Sequence, residues 1–384
     1  MNENVLLDTI SVICFLVIIV FLFFSVFLLT LKSSKKTSNT LLALFLIITV
    51  IDLSVYVYFR FVSLPPNLEM LRIRISFFKS PLWFLYILSL VYTDFRLRPI
   101  HLLHAIPYLI SLLVLTPGFF LADETTKEYF FNNYNSMPES KFLHYLSSFQ
   151  SLFYTIACII AVRKYRKLLL ENYTNSNSLS IYRFVIQLIV IDFALSSITE
   201  IKGILELHAD PIVFNYARII MLLLGLAFIF WLILKALYYP VLFKGVDSKL
   251  ELVEKMITEK GPEDITTKEE ISPENQALIH ELKTYMEQQE PYLEPSLTIQ
   301  DLSNQMKMPA RDLSILINHN MDQHFFDFVN EYRIQKAMRI LKDPERKDLT
   351  VLEILYEVGF NSKSSFNTYF KKYTHLTPTA YRNS

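Results

Sequence analysis

Seven long apolar stretches occupy the first two-thirds of this chain and restrict its fold more than any other feature. They run over residues 9–31, 40–62, 76–92, 100–121, 142–162, 182–201 and 212–238. About 20 apolar residues, rising about 1.5 Å each, cross the roughly 30 Å hydrocarbon core of a bilayer, and every window falls near that length. Inside hydrocarbon each backbone N–H and C=O must be satisfied within the segment, which dictates helices. Lys79 and Pro81 interrupt the third window, and Asp192 and Glu200 the sixth. The balance of 52% hydrophobic and 14% aromatic side chains with only 6 glycines in 384 residues excludes an ordinary soluble domain, and the apolar excess falls before Gly245. Met1 to Asp8 carries no basic stretch and the run behind it is too long for a cleavable signal, so residues 9–31 read as a first span.

Loop charges orient the spans, because short cytoplasmic loops collect Lys and Arg. Lys32, Lys35 and Lys36 follow the first span, Arg96 and Arg98 the third, and Arg163, Lys164, Arg166, Lys167 and Arg183 separate the fifth from the sixth. The alternate loops carry Asp123, Glu124, Glu128, Glu206 and Asp210; Arg72 and Arg74 run against the pattern. The expectation is a multi-pass protein of the inner (cytoplasmic) membrane, with its N-terminus outside and everything after Tyr239 in the cytoplasm. The formal net charge is zero, so a nucleic-acid contact must come from local patches. The two cysteines, Cys14 and Cys158, lie inside apolar runs and offer neither a disulfide framework nor a Cys-rich zinc site. His101 and His104 lack partners for a metal, so no metal and no cofactor is expected.

Composition divides the chain into a seven-helix sensor domain (1–243), a charged linker (244–274) and a helical domain (275–384). In the linker, Val246, Leu250, Val253 and Ile257 recur at spacings of four, three and four, the seam of a short coiled coil that would make a homodimer, or of a surface helix. Beyond it, Leu278, Leu282, Tyr285 and Met286 share one helix face, which Pro291 and Pro295 end.

Two helix-turn-helix patterns follow. In the first, Thr298 caps residues 299–306, Lys307-Met308-Pro309 makes the turn, and residues 310–318 form the second helix. Leu313, Leu316 and Ile317 face the core, which leaves Arg311, Asp312, Ser314, Ile315 and Asn318 for a DNA groove, with Arg311 and Asn318 the leading base contacts. A helix over residues 325–341, burying Phe326, Val329, Ile334, Ala337, Ile340 and Leu341, acts as a spacer with Arg333 and Lys336 as phosphate contacts or solvated charges. In the second pattern Thr350 caps residues 351–358, Gly359 permits the turn, Phe360 plugs it, and Ser362 caps residues 363–373. Phe366 and Phe370 are core. Lys363, Ser364, Asn367 and Thr368 remain for bases, and Ser362, Lys371, Lys372 and Arg382 for the adjacent backbone. Thr377-Pro378 starts a closing helix in the cap-then-proline order.

The stretches FFDFVNEYRIQKAMRIL and LTVLEILYEVGFNSKSSFNTYFKKYTHLTPTAYR, in this order from Phe325 to Arg382, resemble the DNA-binding domain of the AraC/XylS transcription regulators. The match extends back to about Leu297 and covers only the last part of the chain; over the whole length the chain is similar to membrane-anchored members of that family. The resemblance implies two helix-turn-helix units on a linker helix, binding of promoter DNA, and recruitment or repositioning of RNA polymerase. Four positions depart from the family pattern: Leu355 for Ala, Thr368 for Arg, His375 for Gly, and Pro309 for a capping Ser.

The spans carry ionisable residues that are costly at mid-membrane and therefore mark candidate function. Asp52 and Asp192 fall near span centres, and Arg60, Lys79, Glu200 and Arg218 in the outer third. They fit either a polar pocket open to the outside, admitting a small ligand and anionic ones in particular, or snorkelling cations and structurally paired acids. A retinal-type sensor is excluded because residues 222–230 hold no Lys, and a kinase because no Gly-rich phosphate loop occurs. The expectation is a non-enzymatic, all-α transcription regulator with promoter DNA, the lipid bilayer, RNA polymerase, a second copy of itself and a small-molecule signal as partners. The alternative is a seven-span receptor whose C-terminal helical domain binds a protein.

Overall fold

The structure is a computed structural model that describes residues 3–31, 36–59, 61–92, 94–174, 176–208, 211–238 and 273–384. The described residues are helical, with no β-strand among them. The linker positions Val246, Leu250, Val253 and Ile257, and Arg60 among the candidate ligand residues, lie outside the described residues. The chain divides into two compact units, Met1–Val162 with Phe184–Phe243, and Arg163–Arg183 with Lys244–Ser384. The segment Arg163–Arg183 groups with the C-terminal residues.

The first unit contains α1 (Glu3–Thr30), α2 (Lys36–Leu53), α3 (Val55–Tyr58), α4 (Pro66–Arg74), α5 (Lys79–Val91), α6 (Ile106–Leu115) and α7 (Glu124–Asn132). It also holds most of α8 (Pro138–Asn172) and α9 (Ser176–His208), and α10 (Pro211–Tyr238). Seven described helical stretches, Leu6–Thr30, Lys36–Tyr58, Pro66–Val91, Pro99–Phe120, Pro138–Asn172, Ile181–Ile201 and Ile212–Lys235, are long and apolar enough to cross a membrane. On α1, Leu6, Ile10, Cys14, Val17, Phe21, Phe24 and Leu28 recur every three or four residues and are buried; α2 and α10 pack against α1. The other face of α1 stays apolar and outward, with Phe23 78% exposed. A helix apolar all round with a buried inner stripe is of the kind that suits hydrocarbon. The third stretch is broken where the sequence has Ser76, Lys79 and Pro81, with a 3₁₀ turn over Ile75–Phe78 between α4 and α5. The fourth ends in a π turn over Thr116–Phe120, around Pro117.

The second unit contains α11 (Pro273–Gln289), α12 (Ile299–Met306), α13 (Ala310–Ile315), α14 (Phe325–Lys342), α15 (Val351–Glu357), α16 (Lys363–Thr374) and α17 (Pro378–Asn383). Helix α14 serves two cores. Its first half gives Phe325, Phe328 and Val329 to a cluster with Leu282, Leu302 and Ile317, and its second half gives Ile334, Ala337 and Leu341 to one with Ile354, Phe366 and Phe370. Leu355 fits fully buried in the second core, so that departure from the family pattern is absorbed by packing. His375 closes α16 with φ +60°, a left-handed geometry that glycine adopts freely and a side chain adopts at a cost of about 1 kcal/mol.

Candidate nucleic-acid interface

The first helix-turn-helix unit is α12, a turn, and α13. Thr298 and Asp301 form a reciprocal capping box: Thr298 N–H donates to Asp301 Oδ2 at 2.9 Å and Asp301 N–H to Thr298 Oγ1 at 3.2 Å. Lys307 reverses the chain in the left-handed region, φ +54°, and Pro309 precedes α13 without a side-chain cap. Arg311 and Asp312 are exposed on the first turn of α13. Beyond Ile315 the helix widens into a π turn over Leu316–Asn320.

Two expected base contacts lie elsewhere. Ser314 is 2% exposed. Asn318 uses both ends of its amide inside the protein: Nδ2 donates to the Ser314 carbonyl at 3.0 Å, and Oδ1 accepts from Phe325 N–H at 3.1 Å. That bridge ties the π turn to the start of α14, because an amide carries the donor and acceptor that two helix ends leave unmatched. Asn318 Nδ2 also reaches the Glu171 carbonyl at 3.5 Å, so the last turn of α8 lies against the π turn that follows α13.

In the second unit, Thr350 and Glu353 form the same capping box, and the backbone N–H of Thr350 holds the exposed Glu353 carboxyl below the usual carboxylate range. Gly359 turns the chain at φ +90°. Phe360 packs edge-on against Phe366, centroids 5.3 Å apart, which fixes α16 against α15. Ser362 caps α16 by accepting from Ser365 N–H. Lys363, Ser364, Thr368 and Lys371 are exposed on α16, and Asn367 is half-buried beside them. Thr368 Oγ1 donates to the Ser364 carbonyl at 2.8 Å.

Several charged candidates are engaged by the protein itself. Lys372 Nζ meets Asp327 Oδ1 at 2.7 Å, and Arg382 Nη2 donates to the Leu349 carbonyl at 2.8 Å. Lys336 pairs with Glu290 Oε2 at 2.6 Å. Arg333 is neither a phosphate contact nor a solvated charge: it is 1% exposed, donating from Nε to the Tyr292 carbonyl at 2.6 Å and from Nη2 to the Glu294 carbonyl at 2.7 Å. Burial pulls its guanidinium down to about 10, still protonated at neutral pH. Of the residues expected to meet DNA, Arg311, Lys363, Ser364, Thr368 and Lys371 are exposed, and Ser362 and Asn367 half-buried.

Sequence reasoning missed the α8–α9 turn. Thr174 is 1% exposed; its Oγ1 donates to the Leu297 carbonyl at 2.7 Å, Arg333 Nη1 reaches the Thr174 carbonyl at 3.4 Å, and Tyr173 bridges Thr298. The available signal was length. At 35 residues α8 would run about 52 Å, well past the roughly 30 Å a bilayer core requires.

His324, which precedes α14, carries a testable consequence. Burial pulls its imidazole below the ordinary 6.5, Lys167 and Arg166 push the same way, and Asp327 and Asp322 oppose them. The unfolded chain therefore binds this proton more readily. Stability is intact above 6.5 and falls as pH drops through 6.5 toward the folded value. Thermal unfolding of the full chain is expected at lower temperature on going from about pH 7.5 to about pH 5.5, with a smaller decline in His324→Asn; equal declines would rule out His324 as the cause.

The candidate ligand residues come together in the first unit. Asp52, Lys79, Asp192, Glu200 and Arg218 all line one cavity of about 560 Å³. Lys79 is paired with Asp52 at 2.5 Å, as a structurally paired acid would be.

A family model described as a helix-turn-helix domain matches residues 302–384. The chain is 29% identical over 86 residues, 22% of its length, to the uncharacterized HTH-type transcriptional regulator YdeC of Bacillus subtilis (strain 168), over 28% of that protein. It is 33% identical over 90 residues, 23% of its length, to the uncharacterized transcriptional regulatory protein YesN of the same strain, over 24% of that protein. The chain spans about a quarter of the length of these curated relatives. No solved structure matches it. Residues 302–384 are thus a helix-turn-helix domain of the AraC type.

Proposed function

We propose that this chain, ending in an AraC-type helix-turn-helix domain, is a membrane-bound, sequence-specific transcription regulator that couples a signal received by its apolar helices to promoter binding. The observation that carries the reading is the pair of helix-turn-helix units on one continuous helix. Helix α14, 18 residues long, measures about 27 Å, close to the roughly 34 Å of one DNA turn, so α13 and α16 suit successive grooves on one duplex face. Arg311 and Lys363 enter from the first turns of those helices, where side chains reach base edges. With seven spans and the N-terminus outside, the reader faces the cytoplasm. Homodimerisation through the linker and contact with RNA polymerase belong to the same reading.

The arrangement described is a resting form. The end of α8 meets Asn318 just past α13, and α8 and α9 each run from an apolar stretch toward the turn that joins them. A shift of either span travels along a stiff helix to the turn and frees α13 for DNA.

Crosslinked chromatin recovery of the full-length protein in its own cells tests this, beside Arg311→Ala, Lys363→Ala, Asn367→Ala combined in one variant confirmed to be folded and membrane-bound. Discrete promoter peaks are expected for the native chain. Loss of three contacts worth about 1–3 kcal/mol each should weaken binding roughly a hundredfold or more and erase the peaks. Peaks unchanged in the variant, or none under several growth conditions, would favour a receptor whose helical domain binds a protein.

A further inference from the structure

The cavity of the first unit has charges that the protein itself leaves unmatched. Lys79 and Asp52 neutralise each other at 2.5 Å, and Arg72 is held by Glu69 at 2.7 Å. Glu200 accepts from Ser148 Oγ at 3.0 Å, with His144 Nε2 at 3.7 Å. Two lining residues have neither a counter-ion nor a hydrogen bond shorter than 3.4 Å among the described residues. Asp192 has no hydrogen-bond or ion-pair partner among the described residues. Arg218 has no carboxylate partner among the described residues: its guanidinium lies 4.4 Å from the Phe214 ring and 4.7 Å from the Tyr56 ring, Nη1 reaches Asn215 Oδ1 at 3.4 Å, and its buried Nε is without a partner there.

The two stand far apart along the bundle. Thr199 Oγ1 meets Met221 Sδ at 3.7 Å, which sets the register of α9 against α10. Asp192 lies seven residues deeper than Thr199 and Arg218 three residues outward of Met221, a separation of about 15 Å at about 1.5 Å per residue. Between them the wall of α10 recedes at Gly225, where an added Cβ would meet nothing within 4 Å, and Trp83 and Phe228 supply apolar surface to the same cavity.

We propose that this cavity binds a linear zwitterion, an unblocked peptide of four or five residues, with its ammonium at Asp192 and its carboxylate at Arg218. An extended chain advances roughly 3.3–3.6 Å per residue, so four or five residues cover about 15 Å. A simple anion would match Arg218 and leave Asp192 without a counter-ion, and a simple cation would do the reverse. A zwitterion satisfies both and adds no net charge. This inference rests on reading the first unit as the membrane-embedded sensor.

Full-length protein in phosphatidylglycerol–phosphatidylcholine nanodiscs would be equilibrated with an equimolar library of unblocked tetra- and pentapeptides and with the N-acetylated and C-amidated forms of the same sequences. Bound species are identified by mass. Unblocked peptides are expected to be retained at least tenfold over either blocked form. Asp192→Asn should lose the preference for a free amine and keep that for a free carboxylate, Arg218→Gln should do the opposite, and Gly225→Phe should abolish retention. Each charge variant retains a binding signal of its own, so a misfolded protein is distinguished from an altered site. No retention by the native chain, equal retention of blocked peptides, or unchanged discrimination in the two charge variants overturns the proposal. No DNA is present, so this result and promoter occupancy fail independently.

Discussion

Gly359→Ala is expected to destabilise the C-terminal unit by about 3–5 kcal/mol, a large share of a domain's usual margin. Gly359 has φ +90°, where a side chain costs roughly 1–3 kcal/mol before any contact is considered. A Cβ there would also stand 2.6 Å from the Tyr292 carbonyl oxygen, 2.8 Å from that of Leu293 and 3.0 Å from Arg333 Nε. Two of those atoms are backbone and cannot rotate away. The third is the buried guanidinium that the Tyr292 and Glu294 carbonyls hold, and moving it leaves buried acceptors unmatched. The turn of the second helix-turn-helix unit, the segment leading into the first, and α14 all meet at this glycine. The substitution should therefore change the spacing of the two units as well as stability. Hydrogen exchange of the α16 amides in the full chain would measure it, and native-like protection in the variant would show that the junction tolerates the methyl group.

Thr174→Trp is expected to raise the affinity of the full-length protein for its promoter about tenfold or more, an opposite outcome from a residue outside the DNA-contact set. Thr174 is fully enclosed, and its hydroxyl donates to the Leu297 carbonyl at 2.7 Å. An indole cannot occupy that space, so the α8–α9 turn must leave the reader. The fold of the C-terminal unit survives, because Arg333 keeps its shorter bonds to Tyr292 and Glu294 and loses only those at 3.4 Å to Thr174. Releasing Glu171 from Asn318 would clear the approach to the first helix-turn-helix unit, where Arg311 stands exposed, and a tenfold gain corresponds to roughly 1.4 kcal/mol. Promoter DNA recovered with the native chain serves as the probe, titrated against both proteins in nanodiscs. Unchanged or weaker binding would mean that the turn supports the reader and does not restrain it.

Much of the fold is legible because its signals are local. The apolar windows, the Thr298 and Thr350 capping boxes, Gly359 at a turn, and Thr377-Pro378 at a helix start each reveal themselves within a few residues; the capped helices start where their caps predict, whereas helices such as α8 and α9 extend several residues beyond their apolar windows. The alternation of core and surface on α16 is equally readable: Phe366 and Phe370 are buried, Lys363 and Lys371 exposed. The DNA-facing set is only half legible. Periodicity tells which side of α13 is not core, but cannot tell that Asn318 is claimed by Phe325 N–H, Lys372 by Asp327, or Arg382 by the Leu349 carbonyl.

The sequence by itself determined that the described residues would be helical, with seven segments suited to hydrocarbon and two helix-turn-helix units in the C-terminal part, because helix length, caps and apolar period act over one to five turns. Only the tertiary structure decided that Arg333 is a buried brace, that Asp52 takes Lys79 as its counter-ion, that Asp192 and Arg218 are left unmatched around one cavity, and that Thr174 reaches Leu297 across 123 residues of chain. Those pairings follow from which helices pack side by side. A charged side chain looks the same in sequence whether water, a carbonyl or an opposite charge awaits it, and burial alone makes the difference costly enough to select one partner.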